Sequence, residues 1–424
     1  MKTDKTGNLI LGCIADDFTG GSDAASFLAA GGMNTILLTE IPDSTYTLPE
    51  DAEAAVITLK SRTQETAAAV EDSLAAIRWL HEAGASHYYV KYCSTFDSTP
   101  AGNIGPIVDA VLTELDADGT ILCPALPANG RVVREGILYV KGVPLAESPM
   151  KDHPLTPMWE SRISLLMKPQ GKYDSLEIHA GELNGPAEAL DKKIKAFTGS
   201  REHWYLVPDY TDDKDAARIA SLFGAMKVLT GGSGILTELA KKLKVLDAEA
   251  VPYEGTDGPA VIVAGSCSTA TRAQTLWYEA GGGKSLRLSD EAILDGTQDS
   301  AAIWEQMKDD PAPLIYSYDT PEGLKKKRNE AGRKLAARIE ETLAQTAVEA
   351  MKGGVRRIIA AGGETSGAVT KALGYKSYRI GESVAPGVPV LTPLDEPSLR
   401  LVLKSGNFGQ EDFFGRALAL TAKK

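Results

Sequence analysis

The sequence predicts an α/β protein of two domains, each a mainly parallel sheet with helices on both faces, with the active site in the interdomain cleft. Three observations carry this. Short apolar runs alternate with stretches of helical periodicity along the 424 residues, as in chains of strand–helix–strand units. The runs are apolar nearly throughout, as strands buried on both faces are. An acidic stretch with Pro and Gly, "LDAEAVPYEGTDGPA", breaks the rhythm. It places one domain over residues 1–250 and a second over 258–424, where about 100–200 residues per domain would allow two or three.

Taken in order, "NLILGCIA" reads as a strand, followed by a helix from about Ser22. "AAVITLK" is a strand with a helix over Thr66 to Glu82. "HYYVKYC" is a strand with a helix over Ile104 to Leu115, and "TILCPALP" is the next strand. Residues Arg131 to Tyr173 are irregular, rich in Pro and charge, and read as an insertion or hairpin on the first domain. "WYLVPDY", "KVLTGG", "AVIVAGS", "PLIYSYD", "RRIIAAGG" and "LRLVLKSG" continue the strand series. Leu324, Ala331, Leu335, Ile339, Leu343, Ala347 and Met351 form a stripe at near 3.6 spacing, which predicts one long helix packed on a sheet.

Composition narrows the classes. Apolar content is 43% and charged content 24%, ordinary for a protein with a sizeable core. The net charge of −12 repels phosphate backbones and anionic lipids, so neither nucleic acid nor membrane is expected as a partner. The apolar run at the N-terminus meets Asp16 and Asp17 too soon for a signal peptide, and no run reaches about 18 apolar residues. A cytoplasmic location is expected. Cys13, Cys93, Cys123 and Cys267 stand far apart and read as reduced thiols. The five histidines form no HxH or HExxH pattern, so no metal ligands are assigned.

Ligands of parallel sheets sit at the carboxyl ends of strands. Five strand ends here run into Gly, Ser or Thr: "DDFTGGSD" (16–23), "TGGSG" (230–234), "AGSCSTAT" (264–271), "AGGETSG" (361–367) and "KSGNFG" (404–409). Gly allows close backbone approach, and the following helix N-terminus offers free N–H groups to an anion. Such turns also simply cap helices. None matches the Walker A or GxGxxG pattern. Three of them in the second domain would make a polyphosphate cradle if the sheet aligned them on one edge.

The first domain offers different chemistry. Asp16 and Asp17 are adjacent and Asp23 follows; such charges at a buried strand end need partners. "SRT" (61–63) and "KYCSTFDST" (91–99) end later strands, so Asp17, Arg62, Lys91, Ser94 and Thr95 are candidates to converge. Carboxylates accept hydrogen bonds from sugar hydroxyls, while Arg and Lys bind a substrate carboxylate. Ordinary solvated charge remains the alternative for Arg62 and Lys91, and helix capping for one of the two acids.

These segments resemble the four-carbon acid sugar kinase family. The resemblance rests on "IADDFTGGSDAASFLAAGG", "KYCSTFDSTPAGNIGP", "CPALPANGR", "HPLTPM", "TGGSG", "GSCSTATRAQ", "AAGGETSGAV", "APGVPV" and "KSGNFGQEDFF", and spans nearly the whole chain. Gly21 departs from the family, which commonly has Ala there; no change in chemistry is expected from it. The resemblance implies a sugar-acid-binding N-terminal domain and an ATP-binding C-terminal domain. The implied reaction is phosphorylation of a four-carbon acid, 3-dehydrotetronate first and erythronate or threonate as alternatives, at the terminal C4 hydroxyl. Ser266, Gly362, Gly363, Glu364, Thr365 and Gly406 are the implied nucleotide contacts, with Ser268 beside them. On this reading Arg62 and Lys91 hold the substrate carboxylate, with Ser94 and Thr95 nearby. Asp17 accepts the C4 proton, Asp23 is the second choice, and Asp16 orients hydroxyls. Mg2+ bridges the β- and γ-phosphates, and a homodimer is the default assembly. A nicotinamide dehydrogenase is disfavoured by the missing fingerprint; a non-catalytic sugar-acid binder is the other rival.

Overall fold

The computed structural model describes residues 9–153, 156–244, 253–317 and 330–423. The chain divides into two compact units, Met1–Val251 and Pro252–Lys424. Residues 246–252 of the expected boundary, Pro154 and Leu155 of "HPLTPM", and Leu324 of the long stripe lie outside the described residues.

The first unit is built on eight parallel strands. They are β1 (Leu11–Ala15), β2 (Thr35–Leu38), β3 (Ala54–Thr58), β4 (His87–Lys91), β5 (Gly119–Cys123), and, after a three-stranded insertion, β9 (Ser175–Ile178), β10 (Trp204–Pro208) and β11 (Val228–Gly231). Their order is β2-β3-β1-β4-β11-β5-β10-β9. The insertion holds β6 (Arg131–Arg134), β7 (Ile137–Val140) and β8 (Val143–Pro144), an antiparallel sheet of its own, so the irregular stretch is indeed a hairpin motif.

The chain leaves β1 towards β2 on one side, and leaves β4 towards β5 on the other. The crevice between β1 and β4 is therefore a topological switch point, where ligands of such sheets bind. Register aligns the strand ends: Ala15 pairs with Thr58 and Lys91, and Lys91 with Gly231. Strands β1 and β3 are buried along their whole length, which is what their unbroken apolar runs require.

The first helix begins at Phe18, earlier than expected from Ser22. The Asp17 side chain accepts from the Gly20 N–H at 2.5 Å and caps the helix there. Gly20 and Gly21 thus lie within the helix rather than in a turn. Gly21 is held small by its neighbour: a methyl group there would collide with Thr58 Cγ2. The Gly/Ala difference is therefore sterically coupled to Thr58. Gly21→Ala is expected to destabilise the protein by about 1–3 kcal/mol, with Thr58→Ser in the same chain restoring most of it. Urea midpoints of the single and double variants would check this; no change in the single variant would refute the packing argument.

The second unit follows the same plan. Strands β12 (Ala260–Ala264), β13 (Ser285–Arg287), β14 (Leu314–Tyr316), β15 (Arg357–Ala361) and β18 (Arg400–Lys404) run parallel in the order β13-β14-β12-β15-β18. The antiparallel pair β16 (Ser377–Ala385) and β17 (Val388–Pro393) extends it beyond β18. The predicted long helix spans Glu330–Lys352, and it buries Leu335, Ile339, Leu343 and Ala347. Met351 at its end is half-buried. Ile262, Leu314, Ile359, Val402, Phe413 and Phe414 form the centre of this unit's core.

Candidate active site

Alignment on the sheet edge creates the site of the first unit. Asp16 follows β1, Arg62 follows β3, and Lys91 ends β4. Arg62 Nε and Nη2 donate to the two oxygens of Asp16 at 2.8 and 3.0 Å. Nη2 also pairs with Asp17 Oδ2 at 2.7 Å. The two adjacent acids therefore share one guanidinium, which explains how they tolerate each other. Arg62 is correspondingly less free than expected for a substrate carboxylate, since only Nη1 is left without an acid partner. Burial still pushes the Asp16 carboxyl above its ordinary value, against the pull of Arg62. Arg62 is held firmly charged by the acids despite its own burial.

Lys91 is buried and donates to its neighbour's carbonyl, Tyr92 O, at 2.9 Å. Thr95 donates to Asp97 Oδ1 at 2.6 Å, and Ser94 is half-buried in the same turn. Asp23 departs most from expectation. It is buried and accepts from Ser233 Oγ of the "TGGSG" turn at 2.5 Å, while its Oδ1 has no hydrogen-bond partner. Burial raises its pKa, opposed by Lys91 and the Ser233 hydroxyl. A pocket beside β1 and β4 is lined by Asp16, Arg62, Lys91, Asp97, Ser98 and Asn103 among others. Asp97, Ser98 and Asn103 were not singled out from sequence, although Asp97 and Ser98 stand within "KYCSTFDST". Asp17 is the most exposed of the three acids, with 35% of its side chain accessible.

In the second unit, the three Gly-rich turns do share one edge. Ala264 pairs with Ala361, and Ala361 with Lys404, so Gly265, Gly362 and Ser405 follow side by side. The chain leaves β12 towards β13 and leaves β15 in the opposite direction, which makes this edge a second switch point. Gly362 has φ +130, a conformation open to glycine. It starts a helix, Gly363–Leu373, whose first turn has no side-chain cap and so keeps N–H groups free for an anion. Gly363 and Glu364 are exposed there, and Thr365 is fully buried. Ser266 Oγ accepts from Ser268 N at 3.2 Å. The Ser268 hydroxyl is committed to capping Thr271 N and donating to Gly406 O.

Two ionisable groups at this edge, Glu340 half-buried and Lys404 buried, had little sequence signal. Glu340, from the long helix, approaches so closely that a methyl on Gly265 would lie 2.6 Å from its Oε1. Its Oε2 is buried without a hydrogen-bond partner. Burial pushes this carboxyl up to about 7; the Thr365 hydroxyl opposes the shift and Glu364 adds to it. Lys404 is fully buried at the end of β18.

All four cysteines are free thiols. Among the described residues, Glu135, His179 and Asp209 bring possible metal-ligand atoms within 4.8 Å of one another. Asp209, however, already accepts from the backbone N–H groups of Glu135, Gly136 and Ala180. It serves to stitch the insertion onto the sheet. No helix among the described residues is long and apolar enough to cross a membrane.

Comparison with known proteins finds two family models along the chain. Residues 11–239 match a sugar-binding N-terminal domain, and residues 261–414 a nucleotide-binding C-terminal domain. The chain is 40% identical to the 3-oxo-tetronate kinase of Brucella melitensis biotype 1, over 96% of this chain and 94% of that one. It is also 40% identical to the 3-oxo-tetronate kinase of Cupriavidus necator, over 96% of each. A crystal structure of a Haemophilus influenzae protein superposes with a TM-score of 0.84 at 37% identity, covering 97% of this chain and all of that one. A Salmonella typhimurium LT2 protein, provisionally described as a tRNA synthase, gives 0.88 at 37% identity over 96% of this chain and 98% of its own.

Proposed function

Since this chain belongs to the four-carbon acid sugar kinase family, we propose that it phosphorylates 3-oxo-tetronate at the C4 hydroxyl with ATP as donor. The observation that carries the reading is the pairing of two switch points with opposite chemistry. One has acids, cations and hydroxyls for a sugar acid; the other has aligned Gly-rich turns and an uncapped helix N-terminus for phosphates.

Arg62 Nη1 and Lys91 bind the substrate carboxylate, and Asp16, held by Arg62, orients its hydroxyls. Asp97 and Ser98 complete the polar wall, with Ser94 and Thr95 in the turn that carries them. Asp17 is the acceptor of the C4 proton. Its Oδ1 accepts from Gly20 N and its Oδ2 forms an ion pair with Arg62, and each oxygen keeps a lone pair for the substrate. Those contacts fix its position, and in phosphoryl transfer positioning counts for more than proton abstraction. Asp23 faces Ser233 and is the weaker candidate. Ser266, Gly362 to Thr365 and Gly406 line the phosphates; Ser268 acts through the turn it caps. Glu340, with its unpartnered buried oxygen, and Glu364 form a hard-oxygen pair that fits Mg2+. Bound there, the ion would neutralise phosphate charge. Net charge −12 disfavours tRNA as a partner, and a metabolic kinase using ATP fits the cytoplasm.

The test is ADP release, coupled to a detection system, across four-carbon sugar acids and their 2- and 3-keto forms. The 3-keto acid should give the highest kcat/KM. A higher value for erythronate or threonate would move the assignment within the family. An absence of ADP release with every member of the panel would overturn it.

A further inference from the structure

In the second unit one carbonyl oxygen gathers three donors. Gly406 O accepts from Lys404 Nζ at 3.0 Å, from Ser268 Oγ at 2.5 Å and from Thr271 Oγ1 at 3.0 Å. Lys404 Nζ also donates to Thr271 Oγ1 at 2.9 Å and to Ser405 O at 3.1 Å. These bonds fasten the end of β18 to the first turn of the Thr269–Ala280 helix. A peptide group is planar and trans, so its C=O and N–H point in opposite directions. Holding the Gly406 carbonyl inward turns the N–H of Asn407 outward. Asn407 is exposed, and among the described residues this N–H donates to no backbone oxygen.

The clamp has an unusual electrostatic feature. Lys404 is 0% exposed, yet no acid forms an ion pair with it among the described residues. The elements around it bring the Thr271 hydroxyl, two carbonyls and the Phe413 ring, 5.7 Å from Nζ. The charged groups that these elements and the adjoining strands carry, Arg272, Glu279, Arg357, Glu364, Lys371, Arg400, Asp412 and Arg416, leave burial as the cause of its shift, down to about 7. A buried ammonium without a counter-charge is costly. It either gives up its proton or waits for an anion to arrive.

We propose that Lys404 is the positioning residue of the nucleotide turn: it locks the Gly406 carbonyl inward so that the Asn407 N–H faces the nucleotide phosphates, and it takes up a proton when that polyanion binds. This rests on the nucleotide occupying these turns, as inferred above. The phosphates supply the counter-charge that the fold lacks, so the ammonium form is favoured in the complex. Binding then couples to protonation, and affinity falls as pH rises above about 7.

The experiment is calorimetric titration of the full chain with ADP at pH 8, in two buffers of different ionisation heat. Nucleotide phosphates, with a second pKa of about 6, are fully ionised there, so the proton counted belongs to the protein. The wild type should take up roughly half to one proton per ADP, and its affinity should fall several-fold between pH 7.5 and 8.5. Lys404→Met should abolish the uptake and weaken ADP about tenfold or more, with KM for the sugar acid unchanged. Lys404→Arg, permanently charged, should lose the uptake while keeping more of the affinity. ADP binding to the wild type without proton uptake overturns the proposal, and so does a Met variant that keeps both uptake and affinity. The wild-type measurement decides even if the Met variant does not fold. Failure of ADP to bind the wild type at all would instead overturn the nucleotide reading of this domain, and this proposal with it.

Discussion

Asp17→Asn is expected to lower kcat by about 100-fold to 10,000-fold, the range a positioned acid–base group contributes. KM for ATP should stay within about twofold. The amide keeps the shape of the carboxylate and one oxygen acceptor, so the helix cap on Gly20 N and much of the fold should survive. It loses the charge that Arg62 pairs with and the capacity to take a proton. Single-turnover measurements at saturating ATP and sugar acid would separate chemistry from product release. A loss below tenfold would remove Asp17 as the base and leave Asp23 to be tested in the same way. Asp23→Asn alone should be mild on this account, because Asp23 is buried and faces Ser233, whereas the Asp17 side chain is 35% accessible.

Arg62→Met is expected to have the largest effect on stability. It leaves Asp16, whose side chain is 12% exposed, without its bidentate partner. Breaking a buried pair from one side costs about 3–5 kcal/mol; the low end applies here, since Arg62 keeps 23% of its side chain in contact with solvent. The loss should depend on pH with a definite sign. The Asp16 pKa is already raised in the folded protein, and removing Arg62 raises it further. A group whose folded pKa lies above its unfolded value contributes stability that is full at low pH and lost as pH rises through the folded pKa. The deficit of the variant should therefore be smaller at pH 4.5 than at pH 7.5. Adding Asp16→Asn should recover part of the loss, because the unpaired charge is then gone. Urea unfolding of the single and double variants at both pH values measures this, and a deficit independent of pH would refute the electrostatic account. In the same variant, KM for the sugar acid should rise about tenfold while KM for ATP holds, the effect of removing one charge-assisted hydrogen bond to the substrate.

Much of this was legible in the chain itself. Unbroken apolar runs such as "AVIVAGS" marked doubly buried strands, because a strand covered on both faces has no polar side to show. The stripe through Leu335, Ile339 and Leu343 marked the long helix, because 3.6 spacing leaves one face for the core. Asp16 and Asp17 announced a need for partners, because adjacent charges at a strand end demand them, and Arg62 meets it. The Gly-rich turns at 264–271, 361–367 and 404–409 raised the question of a shared edge, and strand register does align them, although each alone could have been a helix cap.

Tertiary structure decided what depends on register and burial. That Arg62 bridges both acids follows from β1 and β3 ending in one row, and nothing local to "SRT" states it. The helix start at Phe18 rather than near Ser22 depends on an Asp17 side chain turning back to Gly20, a rotamer choice rather than a propensity. The collision awaiting a methyl at Gly21 comes from Thr58, 37 positions along the chain. Glu340 reads in sequence as one more acid on a helix, and Lys404 as the cation of a surface turn; burial beside β12 and β18 changes what each can do. Composition and periodicity determined which strands exist and which ends carry chemistry, because those are properties of neighbouring residues. Which charges share a partner, and which stand alone, was settled only by folding, because the energy of a buried charge depends on groups distant in sequence and close in space.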